Sequence, residues 1–170
     1  MPSHQLLSSE AQAVLKLYPR DRIRVTLWTY RKQPLLGCWI GTEWHATPLG
    51  QAVQECWREL PREYPSWRFE LFAMQPNRVD ALIQLSRSQS AVGGWGDENL
   101  RPIWESVRPM VAVFKARVAM LTCGGCGGST GAPPLRLWQL GYELWRIEDE
   151  VSWRLALREL SCRLLGLIRD

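Results

Sequence analysis

The residues best placed to do chemistry lie in a short triplet, Arg78-Val79-Asp80, which follows a turn at Gln75-Pro76-Asn77. Successive residues of a β-strand point to opposite faces, so we expect Arg78 and Asp80 to share one face and Val79 to point to the other. A polar–apolar–polar triplet is also how a strand presents two metal ligands side by side. This pair is therefore the first candidate site.

The cysteines offer a second possible site. Cys123-Gly-Gly-Cys126 has zinc-knuckle spacing, but the sequence has no second CxxC, and its only histidines are His4 and His45. We therefore predict no metal ion and no cofactor. Five cysteines in a chain long enough to fold without disulfides favour a reducing, cytoplasmic compartment. The sequence also predicts no signal peptide and no membrane span.

Two counts stand out in the composition. The 170 residues include ten Trp, and 18 of the 21 basic residues are Arg, with a net charge of +4. Arg matches phosphate geometry and stacks on aromatic rings, which favours a nucleic-acid partner. A generic surface, or an arginine bias of the genome, explains the same counts. Most of the Trp fall on apolar stripes, which indicates core positions for Trp57 and Trp153.

Apolar spacing predicts the elements that must position the triplet. Alternating Ile23, Val25 and Leu27 indicate a strand, and the turn before Arg78 joins two strands into a hairpin. Thr47-Pro48 is typical of a helix start. The predicted elements are a helix from Ser9 to Leu17, a strand from Ile23 to Thr29, a hairpin within Leu36–Ala46, strands at Trp67–Met74 and Arg78–Leu85, an extended segment from Leu135 to Ile147, and helices at Leu49–Pro61, at Met110–Thr122 and from Glu148 onward.

The mixed order of these elements predicts the fold class. Helices and strands are interleaved, and the central hairpin favours antiparallel pairing, so we expect an α+β fold with helices packed on an antiparallel sheet. We assign residues 1–20 to an N-terminal helical extension and residues 21–170 to a single domain. The polar and Gly-rich segments 86–99 and 123–134 are expected to be loops.

Several stretches of the sequence follow one another in the order found in a known protein family. The most specific of them is the run Met74-Gln75-Pro76-Asn77-Arg78-Val79-Asp80. The other stretches are Arg24–Gly37, Leu49–Gly50, Glu55–Pro61, Val113–Lys115, Gly131–Pro133, Trp138–Gln139, Tyr142 and Asp149–Glu150. Together they resemble the REP-associated tyrosine transposases of the single-tyrosine HUH superfamily, whose strand signature is Met-Pro-Asn-His-hydrophobic-His. The resemblance covers about residues 22–162 and implies a ferredoxin-like transposase sandwich, with a homodimer as a further expectation.

The sequence departs from the chemistry that the resemblance implies. In that family two His hold a divalent cation against the scissile phosphate, and a Tyr on the last helix attacks it. Arg78 and Asp80 stand at the His positions, and gapless counting from Trp138-Gln139 places Glu159 at the Tyr position. We therefore predict no catalytic residues and treat these three positions as vestigial. An Arg78–Asp80 ion pair could fill the vacated site, or Arg78 could contact a phosphate there.

Five residues are the predicted nucleic-acid contacts. Trp95 lies in a Gly-rich loop, and the resemblance places the Phe-Lys helix near the nucleic acid. The predicted contacts are Arg78, Lys115, Arg117, Trp95 and Gln139.

Three functions follow as hypotheses. The first is a catalytically inactive transposase-like protein that binds hairpin or single-stranded DNA. The second is a protein-interaction or structural subunit of a larger complex, since Trp and Arg are enriched at binding hot spots. The third is an active nuclease with replaced groups, using Asp80 with Glu159 and Tyr142.

Overall fold

The structure, a computed structural model, describes residues 21–85, 103–123 and 136–168. The predicted helix near Ser9 lies outside these ranges. A 3₁₀ turn at Tyr30–Lys32 follows the first strand. The other elements are β1 (Asp21–Trp28), β2 (Gly37–Ile40), β3 (Glu43–Ala46), α1 (Pro48–Glu63), β4 (Trp67–Gln75), β5 (Arg78–Leu85), α2 (Ile103–Cys123), β6 (Glu143–Ile147) and α3 (Glu150–Leu164).

Four strands form one antiparallel sheet in the order β4-β5-β1-β6, and β2 and β3 form a separate hairpin. The register of β1 against β5 places Thr26 opposite Asp80 and Trp28 opposite Arg78. The predicted α+β class, with helices packed on an antiparallel sheet, is confirmed.

The sheet is covered on both faces. The odd-numbered residues Ile23, Val25 and Leu27 of β1 enter a large apolar cluster with residues of α1 and α2. On the other face, a smaller cluster joins Leu82 to Trp153 of α3. The even-numbered residues of β1 and β5 therefore lie in the layer between the sheet and α3.

Of the two Trp predicted as core residues, Trp153 is a buried core residue and Trp57 is partly buried and packs against the main apolar cluster. Trp57 stacks on Phe72 with ring centroids 4.6 Å apart. Offset and edge-to-face aromatic pairs of this kind stabilise a core beyond the area that they bury.

The helix starts follow the predicted capping chemistry. The Thr47 hydroxyl accepts a hydrogen bond from the Gly50 N–H at 3.0 Å, with Pro48 as the first helical residue. Asp149 caps α3 and accepts from the Ser152 N–H at 2.8 Å. Gly50 is also required sterically, because a Cβ there would lie 1.9 Å from the carbonyl oxygen of Leu36.

Three predicted boundaries were wrong. α2 begins at Ile103 and contains Pro109, and α1 continues through Pro61 to Glu63. Each proline removes one N–H from its helix, but the packed apolar face of each helix outweighs that loss. Of the segment predicted as extended from Leu135 to Ile147, the described part begins at Arg136, and only Glu143–Ile147 of it forms a regular strand.

Within residues 21–85, 103–123 and 136–168, no helix is both long and apolar enough to span a membrane.

Candidate functional site

The candidate site lies between the sheet and α3, where polar side chains of β1 and β5 meet. Asp80 is fully buried, and its carboxylate accepts a hydrogen bond from the Thr26 hydroxyl at 2.6 Å. The same oxygen, Oδ1, accepts from Nε and Nη2 of Arg24 at 3.3 and 3.1 Å. The second oxygen, Oδ2, accepts from Nε of Arg78 at 2.9 Å. Two guanidinium groups and a hydroxyl therefore surround this buried carboxylate.

The predicted Arg78–Asp80 pair is thus present, on the shared face that strand alternation implies. Asp80 has a side-chain exposure of 1% and Arg78 of 11%. A buried charge is tolerated only when it is paired and hydrogen-bonded, and both conditions hold here. Arg78 also lies over the Trp28 ring, with its guanidinium carbon 4.9 Å from the centroid.

Glu159 of α3 joins the same group. Its Oε2 accepts from Nη1 of Arg24 at 3.1 Å, and its Oε1 accepts from Nε of Arg163 at 3.2 Å. Arg24 therefore bridges Asp80 and Glu159. The three positions singled out in the sequence, Arg78, Asp80 and Glu159, are brought together in one network, which we call the Asp80 network: Arg24, Thr26, Arg78, Asp80, Glu159 and Arg163.

Sequence reasoning missed three members of this network. Arg24 and Thr26 alternate with the apolar residues of β1, so strand periodicity alone places them on the polar face with Asp80. The charge of Arg24 in a central strand was the signal available in the sequence, because charged residues are rarely buried without a partner. Arg163 follows Glu159 by four residues, the spacing of a helical ion pair.

A buried amide lies at the end of the network nearest the β4–β5 turn. Gln75 pairs with Arg78 across the two strands and is 3% exposed. Its Nε2 has no hydrogen-bond partner within the described part of the chain. Unpaired buried donors of this kind are uncommon in folded proteins.

Lys115 and Gln139 are also brought together, through backbone atoms. Nζ of Lys115 donates to the Gln139 carbonyl at 3.0 Å and to the Gly141 carbonyl. Burial lowers the pKa of the Lys115 ammonium. Both hydrogen bonds connect the segment before β6 to α2. Lys115 therefore has a structural role in addition to any contact with nucleic acid.

Arg117 lies on the opposite side of the sheet from Asp80, on α2. It forms an ion pair with Glu63 of α1, and hydrogen bonding to that carboxylate raises the pKa of the guanidinium. Arg117 also lines a cleft of about 600 Å³ between these helices. Burial raises the pKa of Cys56, another lining residue, which disfavours its thiolate.

The remaining sequence predictions have mixed outcomes. Trp95 lies outside the described residues, so its predicted contact stays a prediction. Tyr142, part of the active-nuclease hypothesis, packs partly buried against the main apolar cluster. In the described ranges, no group of three or more His, Cys, Asp or Glu side chains is arranged to hold a metal ion.

Comparison with protein families and with other sequences identifies no functional residue of this chain. No family model matches the chain. An uncharacterised protein of Haemophilus influenzae is 28% identical over 61 residues, which are 36% of this chain and 34% of that protein. The match thus spans about a third of the length of that relative.

Comparison with solved structures identifies the fold. A REP-associated tyrosine transposase bound to a REP hairpin matches with a TM-score of 0.50 at 14% identity, over 86% of this chain and 68% of that one. A candidate transposase of Deinococcus radiodurans R1 matches with a TM-score of 0.51 at 10% identity, over 85% and 91% of the two chains. At these identities the likeness establishes a transposase-type fold, as the sequence resemblance implied.

Proposed function

We propose that this chain is a transposase-fold protein that binds hairpin or single-stranded DNA without cleaving it. The Asp80 network carries this proposal. It occupies the positions at which the resemblance places two metal ligands and a tyrosine nucleophile, and it fills them with Arg78, Asp80 and Glu159.

The charges of the network disfavour metal-dependent cleavage. Both carboxylate oxygens of Asp80 already accept hydrogen bonds from guanidinium groups. A divalent cation at this place would have to displace Arg24 or Arg78 and would be repelled by both. Glu159, engaged by Arg24 and Arg163, carries no phenol that could form a phosphotyrosine.

Two observations support DNA as the ligand. The chain has a net charge of +4, and a structure with the same fold is bound to a REP hairpin. Binding driven by phosphate contacts is strongest at low salt, since cations of the protein release counterions from the nucleic acid.

A titration tests the binding half of this proposal. Fluorescently labelled hairpin DNA with a single-stranded extension is titrated with the protein in a series of salt concentrations, and polarisation is recorded. We expect saturable binding at low salt that weakens linearly on a log–log plot as salt rises. Absence of binding at about 20 mM salt would overturn the proposal.

One observation favours the second hypothesis, a protein-interaction subunit. Large apolar side chains are exposed along α3 and the turn after it, including Leu155 at 60% and Leu167 at 72%. Contiguous exposed apolar surface is typical of protein interfaces. Analytical ultracentrifugation of the protein alone, and co-purification from its native cells at high salt, separate self-association from a stable partner.

A further inference from the structure

A second group of charged residues lies just beyond the end of β1, in the 3₁₀ turn and the segment that pairs with it. Arg31 lies over the Tyr30 ring at 5.2 Å, and Arg136 lies over the same ring at 6.0 Å. Nζ of Lys32 lies 4.2 Å from the centroid of Trp28. We call these five residues the basic loop cluster: Trp28, Tyr30, Arg31, Lys32 and Arg136.

The three cations of this cluster differ from most other basic residues of the chain. Arg31, Lys32 and Arg136 are exposed, and none of them forms an ion pair with a carboxylate in the described ranges. Arg58, Arg108 and Arg158 are also exposed and form no ion pair within the described residues, but they lie on three different helices and do not form one group. One carboxylate lies beside the group, since Glu143 accepts a hydrogen bond from the Trp28 indole N–H at 2.7 Å. Three cations against this one carboxylate leave a local positive potential around the two aromatic rings that the net charge of +4 does not reveal.

The loop that carries the cations is held by hydrogen bonds of Thr29 and Tyr30, and these bonds do not involve the charged groups of Arg31, Lys32 or Arg136. The Thr29 hydroxyl lies within hydrogen-bonding distance of the carbonyl oxygens of Gln33 and Asn77, at 2.6 and 2.9 Å, and its single proton is shared between them. The Tyr30 N–H donates to the Leu137 carbonyl at 2.7 Å, which fixes the loop beside the segment of Arg136. A ligand would thus meet a preorganised group of cations.

The backbone of the loop is also unusual. Arg31 and Lys32 both have φ near +55°, a conformation that L-residues rarely adopt. Strained conformations persist where the surrounding structure fixes them, and they cluster at binding sites. Here the conformation places two consecutive basic residues beside Tyr30 and Trp28.

We propose that the basic loop cluster binds an unpaired segment of nucleic acid, with Arg31, Lys32 and Arg136 on its phosphates and a base stacked against Tyr30 and its guanidinium neighbours. This inference rests on the proposed DNA-binding function. It adds which surface of the protein binds the DNA and which part of the DNA that surface binds. Tyr30 and Trp28 are half-buried, so part of each residue is accessible to a ligand.

The chemistry favours an unpaired segment over a duplex. Aromatic rings and guanidinium planes stack on bases only where the bases are exposed, whereas paired bases are already stacked on one another. The cluster also lies on a short turn, and the described structure offers no helix there that would enter a groove.

The test compares matched variants on three labelled DNAs: a single strand, a hairpin with a single-stranded extension, and a blunt duplex without a loop. The cluster variant carries Arg31→Gln, Lys32→Gln and Arg136→Gln. The control variant carries Arg58→Gln, Arg108→Gln and Arg158→Gln, which removes the same charge from isolated exposed positions. Thermal unfolding of each variant establishes that it is folded.

We expect the cluster variant to bind the single strand and the extended hairpin at least about tenfold more weakly than wild type, with a log–log salt slope lower by about 2, since each single-strand contact contributes about 0.7. We expect much smaller changes on the blunt duplex and with the control variant. Tyr30→Phe should retain binding, and Tyr30→Ser should weaken it, because only Phe keeps the ring.

The outcomes separate the two proposals. If wild type binds neither the single strand nor the extended hairpin, the proposed function fails and this inference fails with it. If wild type binds and the cluster variant binds equally well, or loses as much on the blunt duplex as on the single strand, only the inference fails.

Discussion

The guanidinium of Arg24 lies against the buried carboxylate of Asp80, with Nη2 and Nε 3.1 and 3.3 Å from Oδ1. The same guanidinium contacts Glu159 through its other nitrogen, Nη1, at 3.1 Å. One side chain of β1 therefore links β5 to α3. In a transposase-type fold, this places a closed ion-pair network where the resemblance implies a metal ion and a nucleophile.

Replacing Asp80 should be strongly destabilising. Asp80→Asn keeps the size of the side chain but leaves Arg24 and Arg78 without their shared negative charge in a buried place. Breaking a buried ion pair costs about 3–5 kcal/mol, and we expect urea unfolding to show a loss of that size. Glu59→Gln is the control, because the Glu59–Arg62 pair is exposed and its loss should cost at most about 1 kcal/mol. Equal effects of the two substitutions would contradict the structural role of Asp80.

Coupling between Arg24 and Glu159 should be measurable but smaller. Glu159 is 38% exposed, so solvent screens its attraction to Arg24. In a double-mutant cycle with Arg24→Met and Glu159→Gln, we expect a coupling energy of about 0.5–1 kcal/mol. Thermal or urea unfolding of the four proteins gives this value, and a coupling of zero would show that the two side chains act independently.

The start of α3 should make stability depend on pH in the acidic range. Hydrogen bonds from the side chain and backbone of Ser152 lower the pKa of Asp149 below its ordinary value of 3.8. A carboxyl group whose folded-state pKa is depressed stabilises the fold above its unfolded pKa, and this stability is lost as pH falls through the folded-state pKa. Unfolding midpoints of wild type should therefore fall more steeply below about pH 4 than those of Asp149→Asn.

Asn is the informative replacement at Asp149. Its amide oxygen still caps the helix but carries no charge, so the cap survives while the pH dependence flattens. Asp149→Ala removes both the helix cap and the charge, so it should lower the unfolding midpoint at neutral pH as well. Identical pH profiles for wild type and Asp149→Asn would show that Asp149 does not contribute to the acid sensitivity.

Lys115→Met should loosen the segment that precedes β6. The substitution keeps the length of the side chain but removes the donor to the carbonyls of Gln139 and Gly141. We expect a loss of about 1–3 kcal/mol in the free energy of unfolding and faster amide hydrogen exchange in residues 139–147. If stability and exchange stay unchanged while DNA binding falls, Lys115 acts as a DNA contact and not as a tether.

Much of the fold could be predicted because it depends on local patterns. The alternation of Ile23, Val25 and Leu27 and the cap at Thr47 depend on neighbours a few residues away, and both features are present. Pro109 misled the prediction of α2, because a local preference against proline in a helix yielded to the packing of the whole helix.

The candidate site was predictable only in part. The shared face of Arg78 and Asp80 follows from strand alternation, and the resemblance singled out Glu159. The bridge through Arg24 depends on the register between β1 and β5 and on where α3 packs, and neither is encoded in local spacing. The cations of the basic loop cluster were missed because Arg31 and Arg136 are 105 positions apart in the sequence and meet only through the fold.

Cleavage under conditions of saturated binding tests the central claim most directly. End-labelled hairpin DNA with single-stranded extensions is incubated with excess protein and Mg²⁺ or Mn²⁺, and the products are resolved on a denaturing gel. The account predicts full-length DNA, no covalent protein–DNA adduct, and a shifted band when the same mixture is run on a native gel. Metal-dependent cleavage that is lost in Asp80→Asn or Tyr142→Phe, with both variants shown to be folded, would contradict it and restore the active-nuclease hypothesis.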